Sequence, residues 1–225
     1  MQVIPSVLEN NTSAFLSQIK RLSPHFNTFQ IDIADGIFVP NKTIQIEDIE
    51  KTIQQFNNLA INQLIFDFHL MVKDYETEVK KLNDLAAKKL INIKNVFIHF
   101  SLSPNYSLLT TAYPQLTFGL VLNPEESLDK LYKLYNFKTI KCIQIMSVNP
   151  GFQGSPFIPQ TLKKVEQLHL QHYRNKIYLD GAINQDTLPL VLSLKNKPDY
   201  LCVGSFLSKA ENLKELIEYL REKIG

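Results

Sequence analysis

Glycine is scarce in this chain, 7 in 225 residues, roughly 3% where ~7% is usual. Each glycine that remains therefore marks a place where the backbone has something particular to do. Cysteine is scarcer still: Cys142 and Cys202, both inside apolar runs. Two thiols make no disulfide framework, and neither a CxxC pair nor a Cys/His cluster surrounds them, so buried thiols in a reducing compartment are expected. Charge of one sign is also missing. With 24 basic and 22 acidic residues the net charge is +2, which excludes a broad basic field for nucleic acid and an acidic tail. No apolar run approaches the ~20 residues of a membrane span. The opening MQVIPSVLEN has no basic stretch leading into an apolar one, so no secretory signal is expected. These absences point to a soluble, cytoplasmic protein without nucleic-acid or membrane partners.

What is present is a regular alternation. Hydrophobic residues make up 44% and charged residues 20%, which excludes general disorder. Strands are expected at Val3–Leu8, Thr28–Ile33, Leu64–Met71, Asn95–Phe100, Thr117–Leu122, Lys141–Val148, Lys176–Asp180 and Tyr200–Val203. Between them lie helical patterns at Ser13–Leu22, Ile46–Phe56, Tyr75–Leu90, Glu125–Tyr135, Phe157–His172 and Asn212–Ile224. Thr12 and Asn123-Pro124 read as helix starts, and Pro189 predicts a short helix within Asp186–Leu194. Eight strand–helix units in this length predict one (β/α)8 TIM barrel over residues 1–225, with a doubly wound open sheet as runner-up. No GxGxxG follows a strand, which counts against that runner-up.

In such a barrel the chemistry belongs at the C-terminal ends of the strands. Gln30 and Asp32 share a face of the second strand, Asp67 and His69 share one of the third, and the seventh ends in Asp180-Gly181. An ionisable group directed into an apolar barrel is costly unless paired or metal-bound. Two carboxylates and an imidazole at one mouth would suit a divalent cation, while strand-end capping is the plain alternative for each residue alone. His25, His169 and His172 read as surface residues; His99 ends the fourth strand, where a pocket role and a plain hydrogen-bonding role are both open. Gly36, Gly151, Gly154, Gly181 and Gly204 are expected directly after strand ends. Their concentration after the last three strands suggests a phosphate cradle built from backbone N–H groups.

The segments IPSVL (4–8), FQIDIADGIFVPN (29–41), DFHLMV (67–72), LNPEESL (122–128), IQIMSVNPGFQGSPF (143–157), LDGAIN (179–184) and CVGS (202–205) occur in an order that resembles the ribulose-phosphate 3-epimerases over essentially the whole chain. The resemblance implies a ribulose-phosphate-binding type of barrel that inverts a ketose phosphate at C3, D-ribulose 5-phosphate to D-xylulose 5-phosphate or a close analogue. It implies Asp32 and Asp180 as the two proton-transfer groups, working through an enediolate. The implied metal ligands are Asp32, His69 and Asp180, with Gln30 at the position of a fourth; Zn, Fe or Mn is the implied cofactor. Ser6, His69, Met71, Met146 and Asn149 would face the substrate, and Gly151, Gly154, Gly181, Ala182, Gly204 and Ser205 would surround its phosphate.

Several positions depart from the family pattern. Gln30 stands for a histidine ligand, Ala34 for a methionine of the apolar cap and Ala182 for a glycine of the phosphate turn. Gln153 and Ser155 alter the lid segment, and Ser101 replaces a common glutamate. A metal-free isomerase or lyase on the same barrel, or a non-catalytic sugar-phosphate-binding protein, are the alternative readings. The choice of ketose and the oligomeric state, including a homo-oligomer, stay open.

Overall fold

The structure is a computed structural model and describes residues 1–55 and 60–225. Phe56, where the second helical pattern was expected to end, lies outside the described residues. Strands β1 (Gln2–Val7), β2 (Thr28–Ala34), β3 (Ile65–Met71), β4 (Asn92–His99), β5 (Thr117–Leu122), β6 (Cys142–Met146), β7 (Lys176–Asp180) and β8 (Tyr200–Val203) are hydrogen-bonded in chain order as a closed barrel. The expected (β/α)8 architecture is therefore the observed one. Helices α1 (Thr12–Leu22), α2 (Ile46–Gln55), α3 (Tyr75–Ala87), α4 (Tyr106–Ala112), α5 (Leu128–Leu134), α6 (Leu162–Leu170), α7 (Leu188–Leu192), α8 (Ser205–Ser208) and α9 (Leu213–Ile224) alternate with them. Contacts group the chain into two compact units, Pro5–Gly119 and Met1–Ile4 with Leu120–Gly225.

In the Pro5–Gly119 unit, α1 shows why these helices form. Phe15, Ile19 and Leu22 recur at helical spacing and are buried, while Lys20 and Arg21 sit in the last turn. Burying each apolar side chain is worth about 1.5–3 kcal/mol. The N-cap is Asn11, whose side chain accepts from the Ala14 N–H at 2.9 Å, one residue before the expected Thr12. Strands β2 and β3 pair without interruption from Thr28↔Ile65 to Ala34↔Met71. The β3–β4 register shifts at Phe66/Asp67, so that Asp67 pairs with Asn95 and Lys94 is passed over. Helix α4 was not expected. It is seven residues long with only Tyr106 and Leu109 buried, too few apolar positions to show a period; Asn105 caps it by accepting from Leu108 N–H.

In the other unit, β6, β7 and β8 pair in parallel from Cys142↔Lys176 and Tyr178↔Tyr200 onward. The rings of Tyr178 and Tyr200 stack with centroids 4.4 Å apart. Helix α5 starts at Leu128 rather than Glu125, because residues 123–126 form a turn in which Glu126 N–H donates to Asn123 O. Helix α6 starts at Leu162 rather than Phe157. Pro159 disfavours helical backbone at the residue before it, and Ile158 is extended at φ -111 and ψ 91; Pro159 then opens a single 3-10 turn over Pro159–Thr161. Helix α7 is short and carries Pro189 in its first turn, as expected. Asn212 caps α9 by accepting from Glu215 N–H while its own amide donates to Glu215 Oε2. Cys142 and Cys202 are buried and form no disulfide.

Candidate active site

Parallel pairing within the Pro5–Gly119 unit sets polar residues side by side: Ser6 opposite Gln30, Gln30 opposite Asp67 and Asp32 opposite His69. The Asp32 carboxylate is buried and surrounded by donors. Ser6 Oγ donates to Oδ2 at 2.5 Å, Gln30 Nε2 donates to Oδ1 at 2.9 Å, and His69 Nδ1 lies 3.1 Å from Oδ1. On the far side of the imidazole, His69 Nε2 is 2.9 Å from His99 Nε2. The two rings stack with centroids 5.0 Å apart, and the Phe38 ring lies 4.7 Å from His99. Behind this set the shifted register places Asn95 Nδ2 on Asp67 Oδ1 at 2.7 Å. Four sequence candidates, Ser6, Gln30, Asp32 and His69, thus form one hydrogen-bonded set, and the Gln30 amide nitrogen is engaged by Asp32. Met71 packs with Ala34 and Val39, with Leu8 and Phe38 against them.

The segment after β2 is tied back to its own strand. Thr43 Oγ1 donates to Asp32 O and accepts from Ala34 N–H, both at 2.8 Å. Asp35 Oδ1 accepts from Ile37 and Phe38 N–H, and Oδ2 from Lys73 N–H. Burial alone would raise the Asp35 pKa, but the backbone N–H groups of Lys73, Phe38 and Ile37 outweigh it and hold the carboxyl below its ordinary value.

In the second unit Asp180 ends β7 and is buried. Gln144 Nε2 donates to Asp180 Oδ2 at 2.8 Å and also approaches Met146 Sδ at 3.7 Å. The Gln144 carbonyl oxygen is buried without a hydrogen-bond partner among the described residues. The backbone after Asp180 is held equally closely. Ser147 N–H donates to Asp180 O at 2.7 Å, and Ser147 Oγ lies 3.0 Å from Asp180 O and 2.6 Å from Gly181 O. Gly181 has φ +120, and a Cβ there would stand 2.6 Å from Val148 Cγ2. Ala182 follows with φ 50, its carbonyl accepting from Thr187 Oγ1 at 2.6 Å.

The remaining candidates spread over two loops. Gly151 and Gly154 lie well beyond the end of β6, not directly after it, and Gly36 follows β2 by two residues; Gly181 and Gly204 do directly follow their strands. Asn149 is exposed. Gly204 is the N-cap of α8 and Ser205 its first residue. Lys164 of α6 is buried and donates to Asn123 O and Pro124 O at 2.5 and 3.0 Å; burial pushes its ammonium pKa down. Sequence reasoning missed Gln144 and Ser147. The available signal was an isolated amide two residues before Met146 in an otherwise apolar strand, CIQIM.

A family model described as the ribulose-phosphate 3 epimerase family matches residues 2–207. The chain belongs to that family. As a ribulose-phosphate 3-epimerase family member it is an isomerase by class. Among curated relatives, a ribulose-phosphate 3-epimerase from Synechocystis sp. is 32% identical over 226 residues, covering 97% of this chain and 92% of the relative. One from Bacillus subtilis is 26% identical over 229 residues, covering 98% of each. Among solved structures, KGPDC from Streptococcus mutans in complex with D-R5P aligns with TM-score 0.66 at 12% identity, over 99% of this chain and 96% of that one. That likeness bears on the fold alone. No described helix of this family member is long and apolar enough to cross a membrane.

Proposed function

We propose that this chain is a divalent-metal-dependent 3-epimerase of a phosphorylated ketose, converting D-ribulose 5-phosphate to D-xylulose 5-phosphate or a close analogue. The observation that carries the reading is the buried pair of Asp32 and His69, Oδ1 and Nδ1 3.1 Å apart, in a chain that matches the epimerase family over residues 2–207, with Asp180 assigned as the third ligand. Two carboxylate oxygens and an imidazole nitrogen fit Zn²⁺, Fe²⁺ or Mn²⁺. Gln30 supports the site from behind, as a donor to Asp32, and is the position open to a fourth ligand. A divalent cation, when bound, supplies Lewis-acid stabilisation of negative charge on the substrate oxygens.

The chain's own residues carry the protons. The hydrogen on C3, next to the ketone, is weakly acidic; one aspartate removes it from one face, leaving an enediolate. The other aspartate returns a proton to C3 on the opposite face, and the configuration is inverted. Each carboxylate must therefore serve in both ionised and protonated forms. The hydroxyl of Ser6 beside Asp32, and the carboxamides of Gln30 and Gln144 beside Asp32 and Asp180, can each donate or accept, which suits that alternation better than a lysine or arginine side chain would. Met71 and Met146 line the site with apolar, adaptable side chains that keep water from the enediolate. Ser6 and Asn149 are assigned to the sugar hydroxyls. The phosphate is assigned to the loops holding Gly151, Gly154, Gly181, Ala182, Gly204 and Ser205; the positive φ of Gly181 and Ala182 supports this, since such backbone can aim successive N–H groups at an anion.

The test is a panel of ketose phosphates incubated in deuterated water with the metal-loaded protein and followed by NMR. The expected result is one deuteron at C3 of the epimerised product. Exchange that persists in chelator-stripped protein would remove the metal from the reading, and no exchange with any ketose phosphate would overturn it.

A further inference from the structure

We propose that His99 is a positioning residue that sets which nitrogen of His69 carries the ring proton, and so which nitrogen His69 presents to a divalent cation. The proposal rests on the metal reading above.

A neutral imidazole carries one N–H donor and one acceptor nitrogen. Both nitrogens of His69 are engaged: Nδ1 lies 3.1 Å from Asp32 Oδ1 and Nε2 lies 2.9 Å from His99 Nε2. Two imidazole nitrogens at that separation share one proton, so one ring donates and the other accepts. Without a cation, Asp32 is an acceptor, so the His69 proton sits on Nδ1. Its Nε2 then accepts, and His99 donates from Nε2.

A cation changes this arrangement. The nitrogen of His69 beside Asp32 is Nδ1, and its lone pair is the one available to a metal shared with that carboxylate. The proton of His69 must then reside on Nε2, and His99 must become the acceptor, with its own proton on Nδ1. Two ring protons are present before and two after. One crosses the His69–His99 hydrogen bond; the other leaves His69 Nδ1 and is replaced at His99 Nδ1 by exchange with water. Few side chains serve both states, because the partner must donate in one and accept in the other. The imidazole does so without moving. His99 is fully buried, stacked on His69 and packed against Phe38, so the ring is held in place for either role.

A benzyl group at position 99 would leave the His69 Nε2–H buried without its acceptor in the metal-bound state. Outer partners of ligating histidines typically change metal affinity by about 10–100-fold. An amide can replace the imidazole, since it too donates or accepts.

The experiment uses the full chain labelled with ¹⁵N-histidine, stripped by chelator and then titrated with Zn²⁺. Long-range ¹H–¹⁵N correlation spectra are expected to show His69 passing from the Nδ1–H to the Nε2–H form, and His99 passing in the reverse direction. In parallel, Zn²⁺ affinity is measured by competition with a chromophoric chelator for wild type, His99→Phe and His99→Gln. His99→Phe is expected to bind about 10–100-fold more weakly, and His99→Gln within a few-fold of wild type. Unchanged tautomers on Zn²⁺ binding overturn the proposal, as does equal affinity of His99→Phe and wild type, or a His99→Gln variant as weak as His99→Phe. In those cases the metal reading itself stands. A wild-type chain that binds no Zn²⁺ overturns both. Should His99→Phe fail to fold by circular dichroism, the spectra of the unsubstituted chain decide alone.

Discussion

Asp32 and Asp180 are both buried carboxylates at the ends of parallel strands, yet they are held by different means. Around Asp32 the grip is on the side chain: a serine, a glutamine and a histidine, from β1, β2 and β3, reach its two oxygens. Around Asp180 a glutamine from β6 reaches one oxygen, and much of the order lies in the backbone that follows. Ser147 fixes two successive carbonyls there, and Gly181 and Ala182 adopt left-handed conformations. The first aspartate depends on which side chains surround it. The second depends on the chain path beyond it, so different substitutions should damage the two.

The strongest way to break the comparison is to remove both bases in turn. Asp32→Asn and Asp180→Asn should each lower the epimerisation rate by about 10²–10⁴-fold, the range of a general acid–base group, with unchanged circular dichroism. A variant of either kind keeping more than about a tenth of the wild-type rate would show that the two aspartates are not equivalent proton carriers. Next comes the ligand set on the Asp32 side. Gln30→His should tighten Zn²⁺ by about 10–100-fold in competition titrations, whereas indistinguishable affinities would leave Gln30 as a donor to Asp32 and nothing more.

The Asp180 side is sharpened through its backbone. Gly181→Ala adds a Cβ only 2.6 Å from Val148 at φ +120, while Gly154→Ala meets no atom within 4 Å at φ +85. Chemical denaturation should show a loss of about 1–3 kcal/mol at position 181 and about 1 kcal/mol at position 154, the larger loss falling where the added Cβ has no room. The smallest effect separates two tyrosines, one in each unit. Tyr106 donates to Phe118 O at 2.9 Å, so Tyr106→Phe should cost about 1 kcal/mol. The Tyr132 hydroxyl is buried without a hydrogen-bond partner among the described residues, and Tyr132→Phe should be neutral or slightly stabilising. Burial, with the Asp129 charge, pushes the Tyr132 phenol from 10.0 up to about 12. Below pH 10 the phenol is neutral in both states; as pH rises from 10 toward about 12 the unfolded chain ionises first and stability falls. Tyr132→Phe should therefore flatten alkaline unfolding curves in that window.

The sequence made some of this plain. The bounds of β5, β7 and β8 were readable to the residue, each apolar run stopping at a turn signal such as Asp180-Gly181 or Val203-Gly204. That Gln30 and Asp32 share one strand face, and Asp67 and His69 another, followed from the two-residue period of a strand. Three features were beyond such reasoning. The shifted register that sets Asn95 on Asp67 depends on passing over Lys94, and periodicity within one strand says nothing about its neighbour. Gln144 sits in an apolar run where residue pattern alone assigns it to the core; its meaning comes from Asp180, 36 positions away. Helix α4 was hidden for a third reason, since two buried residues in seven make no detectable face.

The carboxylate of Asp35 gathers three backbone amides, two from the segment after β2 and one, Lys73, from the segment after β3. Two strand exits are thereby riveted at a single point, and a single rivet fails all at once. Its depressed pKa supplies stability above 3.8 that is lost as pH falls through the lower folded value, so the fastening outlasts mild acid. The amide hydrogens of Ile37, Phe38 and Lys73 should exchange with solvent as a group rather than one by one. Because those exits carry Asp32 and His69, any motion that opens one of these residues to solvent would open the other with it.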